Sequence, residues 1–141
     1  MIENRTILLI DDEPQIRRVL RTSLGSKGAR VLDVASGEEA IELLRRETVD
    51  VILLDLNMPG MNGLEVAVHL KELERSRDIP IIFVTAFGDD PEEVHRAYSA
   101  GGADYLVKPL DAEIVRKKVA VFVDLSRRHW RSEHLRTSTQ S

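Results

Sequence analysis

Near the middle of the sequence stands Val51-Ile52-Leu53-Leu54-Asp55, a run of apolar residues that ends abruptly at a carboxylate. A strand with one face in water alternates apolar and polar residues, whereas a strand buried on both faces is apolar throughout. This segment therefore predicts a central strand of a parallel sheet that helices cover on both sides. Two other segments, Ile7-Leu8-Leu9-Ile10 and Ile81-Ile82-Phe83-Val84, have the same character.

Short apolar segments of this kind alternate along the chain with longer amphipathic ones. The predicted strands are Thr6–Ile10, Arg30–Val34, Val49–Leu54, Ile79–Val84 and Tyr105–Val107. Apolar residues at helical spacing fill the intervals, and the third predicted helix runs from about Gly63 to Arg75. Strict alternation predicts an α/β fold, a doubly wound five-stranded parallel sheet with five helices. Right-handed crossovers favour the flavodoxin-like strand order 2-1-3-4-5.

Composition restricts the class of protein. A chain of 141 residues, 43% of them hydrophobic, is long enough for one domain with its own core. The net charge of −4 argues against non-specific binding of nucleic acid. The chain has no cysteine, which excludes disulfides and thiolate chemistry. No secretory signal and no apolar run of about 18 residues is present, so we expect a cytoplasmic protein without a membrane span.

Polar residues stand where the predicted strands end. The first strand is followed by Asp11 and Asp12, the third by Asp55 and the fourth by Thr85, and Lys108 follows the fifth. Ligands of doubly wound sheets bind beyond the carboxyl ends of the strands, beside the point where the strand order reverses. Taken singly, Asp12 could be a helix N-cap and Asp55 a turn residue. Their coincidence at one edge of the sheet favours a functional site.

Three clustered carboxylates raise one another's pKa unless a cation neutralises them. Mg²⁺ fits best, with Mn²⁺ as an alternative, because it needs few carboxylates and leaves positions for phosphate oxygens. An aspartate can also attack phosphorus and form an aspartyl phosphate. Phosphoryl transfer needs mainly positioning and positive charge near the phosphoryl oxygens. Asp55 is therefore the candidate phosphoacceptor, and Lys108 and Thr85 are the candidate contacts of the phosphoryl group.

Four blocks of sequence, in order, resemble the signature motifs of response-regulator receiver domains of the chemotaxis-regulator-like kind. They are Ile10–Pro14, Leu54–Gly63, Val84–Ala86 and Gly102–Pro109. The resemblance covers the chain from about Arg5 to Leu125, and no principal position departs from the pattern. It implies a signalling domain of a two-component system, not a metabolic enzyme, that assists its own phosphorylation and dephosphorylation.

The resemblance also implies roles for particular residues. Asp55 would accept phosphate from a sensor histidine kinase or a phosphotransfer protein. The carboxylates of Asp11, Asp12 and Asp55, with the backbone carbonyl of Asn57, would hold the metal ion. As further implications, Thr85 and Tyr105 would form the conformational switch that signals to an output domain or partner, and the Lys108-Pro109 bond would be cis.

Two alternatives from other classes remain open at this point. A haloacid-dehalogenase-like phosphatase also uses a strand-end aspartate and Mg²⁺, but its pattern requires a second aspartate where Asn57 stands. A phosphate-independent interaction domain of the same fold would not need the complete set of phosphoacceptor residues.

The C-terminal part of the chain is harder to interpret. We expect a receiver domain over residues 1–125, followed over residues 126–141 by a C-terminal helix extension and a disordered tail. Val115, Val119 and Phe122 have coiled-coil-like spacing, which predicts a homodimer through the fourth helix, fifth strand and fifth helix. A linker helix toward an output domain and a frayed end are the alternatives. The basic residues 127–131 do not predict DNA binding, because no helix-turn-helix follows them.

Overall fold

A single parallel sheet forms the centre of the computed structural model, which describes residues 1–86, 88 and 90–125. Its strands are β1 (Thr6–Ile10), β2 (Arg30–Val34), β3 (Val51–Asp55), β4 (Ile81–Thr85) and β5 (Asp104–Val107). They are ordered β2-β1-β3-β4-β5, and every neighbouring pair is parallel. The predicted flavodoxin-like fold and strand order are therefore confirmed.

Helices occupy the intervals between the strands. They are α1 (Pro14–Gly25), α2 (Gly37–Leu44), α3 (Gly63–Glu72), α4 (Pro91–Ser99) and α5, which spans residues 112–125 up to the last described residue. The prediction that α3 continues to Arg75 is wrong, because Leu73 already has extended backbone angles. The Ser76 hydroxyl then donates to the Leu70 carbonyl at 2.6 Å and holds the chain against the end of the helix. None of the described helices is long and apolar enough to cross a membrane.

The third and fourth strands lie closer to the C-terminus than predicted. They begin at Val51 and Ile81, where the sequence indicated Val49 and Ile79, and they extend through Asp55 and Thr85. Asp55 pairs with Val84 in the sheet register. Both candidate site residues are thus the last residues of buried strands, and the sheet itself fixes their backbones.

The two faces of the sheet have separate cores, which explains the continuously apolar strands. Leu8 and Ile10 of β1 pack on one face with residues of α2, α3 and α4. Their neighbours Ile7 and Leu9 pack on the other face with residues of α1 and α5. Each fully buried Leu or Ile side chain contributes about 1.5–3 kcal/mol by leaving water. This double burial rigidly supports the strand ends.

Candidate functional site

Backbone hydrogen bonds continue past the strands and fix the segments that carry the site. The Leu56 N–H donates to the Val84 carbonyl at 2.9 Å, and the Lys108 N–H donates to the Thr85 carbonyl at 2.8 Å. On the other side, the Asp11 N–H donates to the Val34 carbonyl at 3.2 Å. The residues that follow β1, β3 and β5 are therefore held at one edge of the sheet.

Gly63 allows the loop after β3 to close against the strand end. A Cβ atom at this position would lie 2.3 Å from the Asp55 carbonyl oxygen and 2.7 Å from the Leu56 Cα. The Gly63 N–H donates to the Leu56 carbonyl at 3.1 Å. Asn62 and Glu65 then form a reciprocal capping box that starts α3. The glycine thus keeps α3 close to Asp55.

The turn between β1 and α1 is held by a buried aspartate and an arginine. One carboxylate oxygen of Asp11 accepts a hydrogen bond from the Glu13 N–H at 2.9 Å. Arg17 donates to the Asp11 carbonyl at 2.7 Å and to the Asp33 carboxylate at 3.2 Å. The N-cap of α1 is Glu13, without a side-chain cap, so the capping interpretation of Asp12 is wrong.

Three carboxylates meet at this edge. Asp11 and Asp55 are 4% and 1% exposed, and Asp12 is partly buried. One carboxylate oxygen of each lies within 4.8 Å of the others. Asp55 also accepts a hydrogen bond from the Asn57 N–H at 3.1 Å, which fixes the loop whose carbonyl would be a metal ligand according to the resemblance. An all-oxygen acidic cluster of this kind suits a hard divalent cation.

Lys108 is the ammonium that faces these carboxylates. Its Nζ lies 3.5 Å from Asp55 Oδ2, 3.9 Å from Asp11 Oδ2 and 3.1 Å from Glu13 Oε1. The side chain is only 18% exposed. The peptide bond that follows it, Lys108-Pro109, is cis, as the resemblance implies.

The charges of the site are not balanced by Lys108. Burial raises the pKa of Asp11 to about 6. The hydrogen bond from the Glu13 N–H opposes this rise, and the charge of Asp55 adds to it. Burial likewise raises the pKa of Asp55, although the Asn57 N–H and Lys108 oppose it. Burial would lower the pKa of Lys108, but its acidic neighbours outweigh that effect and raise it. The site therefore lacks positive charge, which a bound divalent cation would supply.

Thr85 contacts α4 through its hydroxyl. It is 1% exposed, and its hydroxyl donates to Glu93 Oε1 at 2.8 Å. Tyr105 is half-buried, with its ring edge-on to Tyr98 at 6.1 Å between centroids. The Lys118 ammonium lies 5.6 Å from the Tyr105 ring centroid. The two predicted switch residues thus occupy neighbouring strands, each in contact with a helix.

The sequence analysis missed two residues of this site. Glu13 adjoins Asp12, and the three consecutive acidic residues could have suggested that it reaches Lys108. Glu93 is eight residues beyond Thr85 on a different element, and no local pattern connects them. Glu13 accepts a hydrogen bond from the Lys108 ammonium, and Glu93 accepts one from the Thr85 hydroxyl. Both donors were predicted to contact a phosphoryl group.

These features define a class, the flavodoxin-like α/β proteins with an acidic site at the carboxyl edge of the sheet. Residues 7–120 match the family described as response regulator receiver domain, and the chain belongs to this family. Receiver domains are signalling domains of two-component systems and work with sensor histidine kinases. The predicted family is confirmed.

Known proteins similar to this chain include both regulators and isolated domains. Transcriptional regulatory protein AfsQ1 of Streptomyces coelicolor is 38% identical over 114 residues, which are 81% of this chain and 49% of that protein. The chain spans about half the length of the curated relatives it matches.

Two solved structures show the same architecture. Chemotaxis protein CheY4 of Vibrio cholerae is 28% identical with a TM-score of 0.80, over 84% of this chain and 98% of that one. The receiver domain of sensor histidine kinase PA1611 of Pseudomonas aeruginosa is 30% identical with a TM-score of 0.79, over 86% and 98%. That structure has a magnesium ion coordinated in its active-site cleft.

Proposed function

We propose that this chain is a phosphorylation switch in which Asp55 accepts a phosphoryl group in a Mg²⁺-dependent reaction. The observation that carries the proposal is the position of Asp55, the last residue of a central strand. Its carboxylate is 1% exposed, clusters with Asp11 and Asp12, and lies 3.5 Å from the Lys108 ammonium. A buried nucleophile among a cation and candidate metal ligands suits phosphoryl transfer.

The donor is a phosphohistidine of a sensor histidine kinase or a phosphotransfer protein. A carboxylate oxygen of Asp55 attacks the phosphorus, and an oxygen–phosphorus bond forms as the phosphorus–nitrogen bond breaks. The electron pair of that bond returns to the imidazole nitrogen, which takes up a proton. Asp55 attacks as a carboxylate, whose charge Lys108 stabilises against the effect of burial, so the nucleophile needs no separate general base.

The metal would be held by the carboxylates of Asp11, Asp12 and Asp55 and by the backbone carbonyl of Asn57. The fit rests on the oxygen donors and on the excess of negative charge at the site. When bound, Mg²⁺, or Mn²⁺ in its place, supplies positive charge against the phosphoryl oxygens. The magnesium in the similar domain from Pseudomonas aeruginosa supports this assignment.

The response to phosphorylation involves Thr85, Lys108 and Tyr105. A phosphoryl group on Asp55 brings negative charge and acceptor oxygens to the site. Lys108 would then contact these oxygens, and the Thr85 hydroxyl would turn toward them. Tyr105, on the strand beside Thr85, would move into the space that Thr85 leaves. This movement would alter the surface formed by α4, β5 and α5.

The signal would pass to an output domain or a separate partner. The longer relatives include transcriptional regulators, which supports an output in gene regulation. The receiver domain would comprise residues 1–125, and the predicted extension and tail over residues 126–141 lie outside the described residues. A cytoplasmic location and the absence of nucleic-acid binding by this domain itself stay predictions. Family membership argues against the phosphatase alternative.

A homodimer through α4, β5 and α5 stays part of the proposal, with different contact residues. The prediction that Val115 and Val119 form the dimer contact is wrong, because both pack against the sheet and are 0% exposed. Phe122 also packs against that core. The apolar residues that α5 leaves about half exposed are Ile114, Val121 and Leu125.

Phosphorylation by a small donor tests the proposed function. Acetyl phosphate with Mg²⁺ should add one hydroxylamine-labile phosphate to the wild type, as measured by intact mass. Asp55→Asn should gain none, and EDTA should abolish the reaction of the wild type. Asp78→Asn, which removes an exposed carboxylate outside the site, is the matched control and should react normally. Equal phosphorylation of wild type and Asp55→Asn would refute the proposal.

A further inference from the structure

In the structure the Thr85 hydroxyl donates a hydrogen bond to Glu93, whereas the proposed function requires it to donate to a phosphoryl group on Asp55. Thr85 Oγ1 and Glu93 Oε1 are 2.8 Å apart, and Thr85 is 1% exposed. Glu93 lies in the first turn of α4 and is partly buried. A hydrogen bond from a hydroxyl to a carboxylate in such a place is stronger than one between neutral groups.

A hydroxyl carries one proton and can donate it to one acceptor at a time. The oxygens of a phosphoryl group on Asp55 are also strong acceptors. Thr85 therefore cannot donate to Glu93 and to the phosphoryl group together. Activation requires the phosphoryl oxygens to replace the Glu93 carboxylate as the acceptor.

We propose that Glu93 is a positioning residue that holds the Thr85 hydroxyl on α4 and so opposes the activated conformation of the domain. This inference rests on the proposed function, because it concerns the response to a group on Asp55. The bond also ties the first turn of α4 to the end of β4. Release of Thr85 would remove that tie, so α4 would respond to the occupancy of Asp55.

Neighbouring residues show that this contact is not an ordinary part of helix capping. The N-cap of α4 is Asp90, and its carboxylate accepts the Glu92 N–H at 3.0 Å. The Glu92 carboxylate points outward, 86% exposed, and lies 3.9 Å from Arg96. Two glutamates of the same turn thus have different surroundings, and Glu93 is the one that reaches the strand.

Beryllofluoride, which binds a carboxylate as a phosphoryl analogue, measures the energy of this contact. We would titrate the full chain in Mg²⁺ and follow the backbone amide signals near Asp55 and Tyr105. Glu93→Ala should bind beryllofluoride about tenfold more tightly than wild type, the low end of what a hydrogen bond to a charged group contributes. Glu93→Gln should lie between them, because its amide oxygen still accepts from Thr85 but carries no charge. Glu92→Ala, the matched control, should bind like wild type.

A double-mutant cycle separates the hydrogen bond from simple charge repulsion. In a Thr85→Ala background, Glu93→Ala should no longer tighten binding, since the donor is absent. Equal affinities of wild type and Glu93→Ala would overturn the inference, and so would an equal gain in both backgrounds. If the wild type gives no response that depends on Asp55, the proposed function fails and this inference fails with it.

Discussion

Asp11 should make the metal-free protein less stable than it would be with a neutral residue. The side chain is nearly inaccessible, and burial raises its pKa from 3.8 to about 6. At about 1.4 kcal/mol for each pH unit, this rise corresponds to roughly 3 kcal/mol of destabilisation at neutral pH. Asp11→Asn removes the charge and retains an oxygen that can accept the Glu13 N–H. The raised pKa already includes the opposing attraction of Lys108, so we expect a net gain of up to about 3 kcal/mol.

The pH dependence of this gain follows from the direction of the pKa change. A carboxyl with a raised pKa in the folded state is still protonated near pH 4, where the burial of charge has no effect. Its unfavourable contribution grows as the pH passes from the unfolded value of 3.8 to about 6. The stability difference between Asp11→Asn and wild type should therefore be small near pH 4 and complete above pH 7.

Urea unfolding in EDTA and in Mg²⁺ measures the effect. In EDTA at neutral pH, Asp11→Asn should be the more stable protein. In Mg²⁺ the wild type should gain stability by binding the ion, and the variant, which lacks a ligand, should gain little. Glu74→Gln makes the same change of charge on the exposed surface and should differ little from wild type in both conditions. A lower stability of Asp11→Asn in EDTA would refute the reasoning.

Three further perturbations test the loop, the switch and the surface. Gly63→Ala should lower the free energy of unfolding by about 2–4 kcal/mol in urea, because the added Cβ meets the Asp55 carbonyl; a loss below about 0.5 kcal/mol would contradict the packing argument. Thr85→Ala should still accept phosphate from acetyl phosphate while its amide spectrum changes little around Tyr105 with beryllofluoride; a full wild-type response there would contradict the coupling. Val121→Asp should weaken any self-association that beryllofluoride induces, as measured by sedimentation. If the variant and the wild type have the same mass in beryllofluoride, Val121 is not part of the dimer surface.

The sheet could be predicted from sequence because its central strands are buried on both faces. Such strands are continuously apolar, and the polar residues that follow or end them, Asp11, Asp55 and Thr85, lie at one edge of the sheet. Lys108 reaches the same edge from the end of the edge strand β5. The strand limits were less accurate, because apolar residues such as Val49 and Ile79 extend beyond the hydrogen-bonded ladder.

Contacts that depend on the packing of helices could not be predicted in the same way. The apolar stripe of α5 is broad, and its periodicity does not show that Val115 and Val119 face the sheet while Ile114 faces outward. The contact between Thr85 and Glu93 depends on where α4 lies relative to β4. Local sequence contains no signal for either arrangement.

The central claim is that Asp55 is the phosphoacceptor, and chemical mapping of the phosphate tests it most directly. Sodium borohydride reduces an acyl phosphate to an alcohol, so the aspartate that carried phosphate becomes homoserine. After treatment with acetyl phosphate and Mg²⁺, peptide mass spectrometry should find homoserine at Asp55 and should find none in an EDTA control. Homoserine at Asp11 or Asp12, or a spread over several carboxylates without preference for Asp55, would contradict the account.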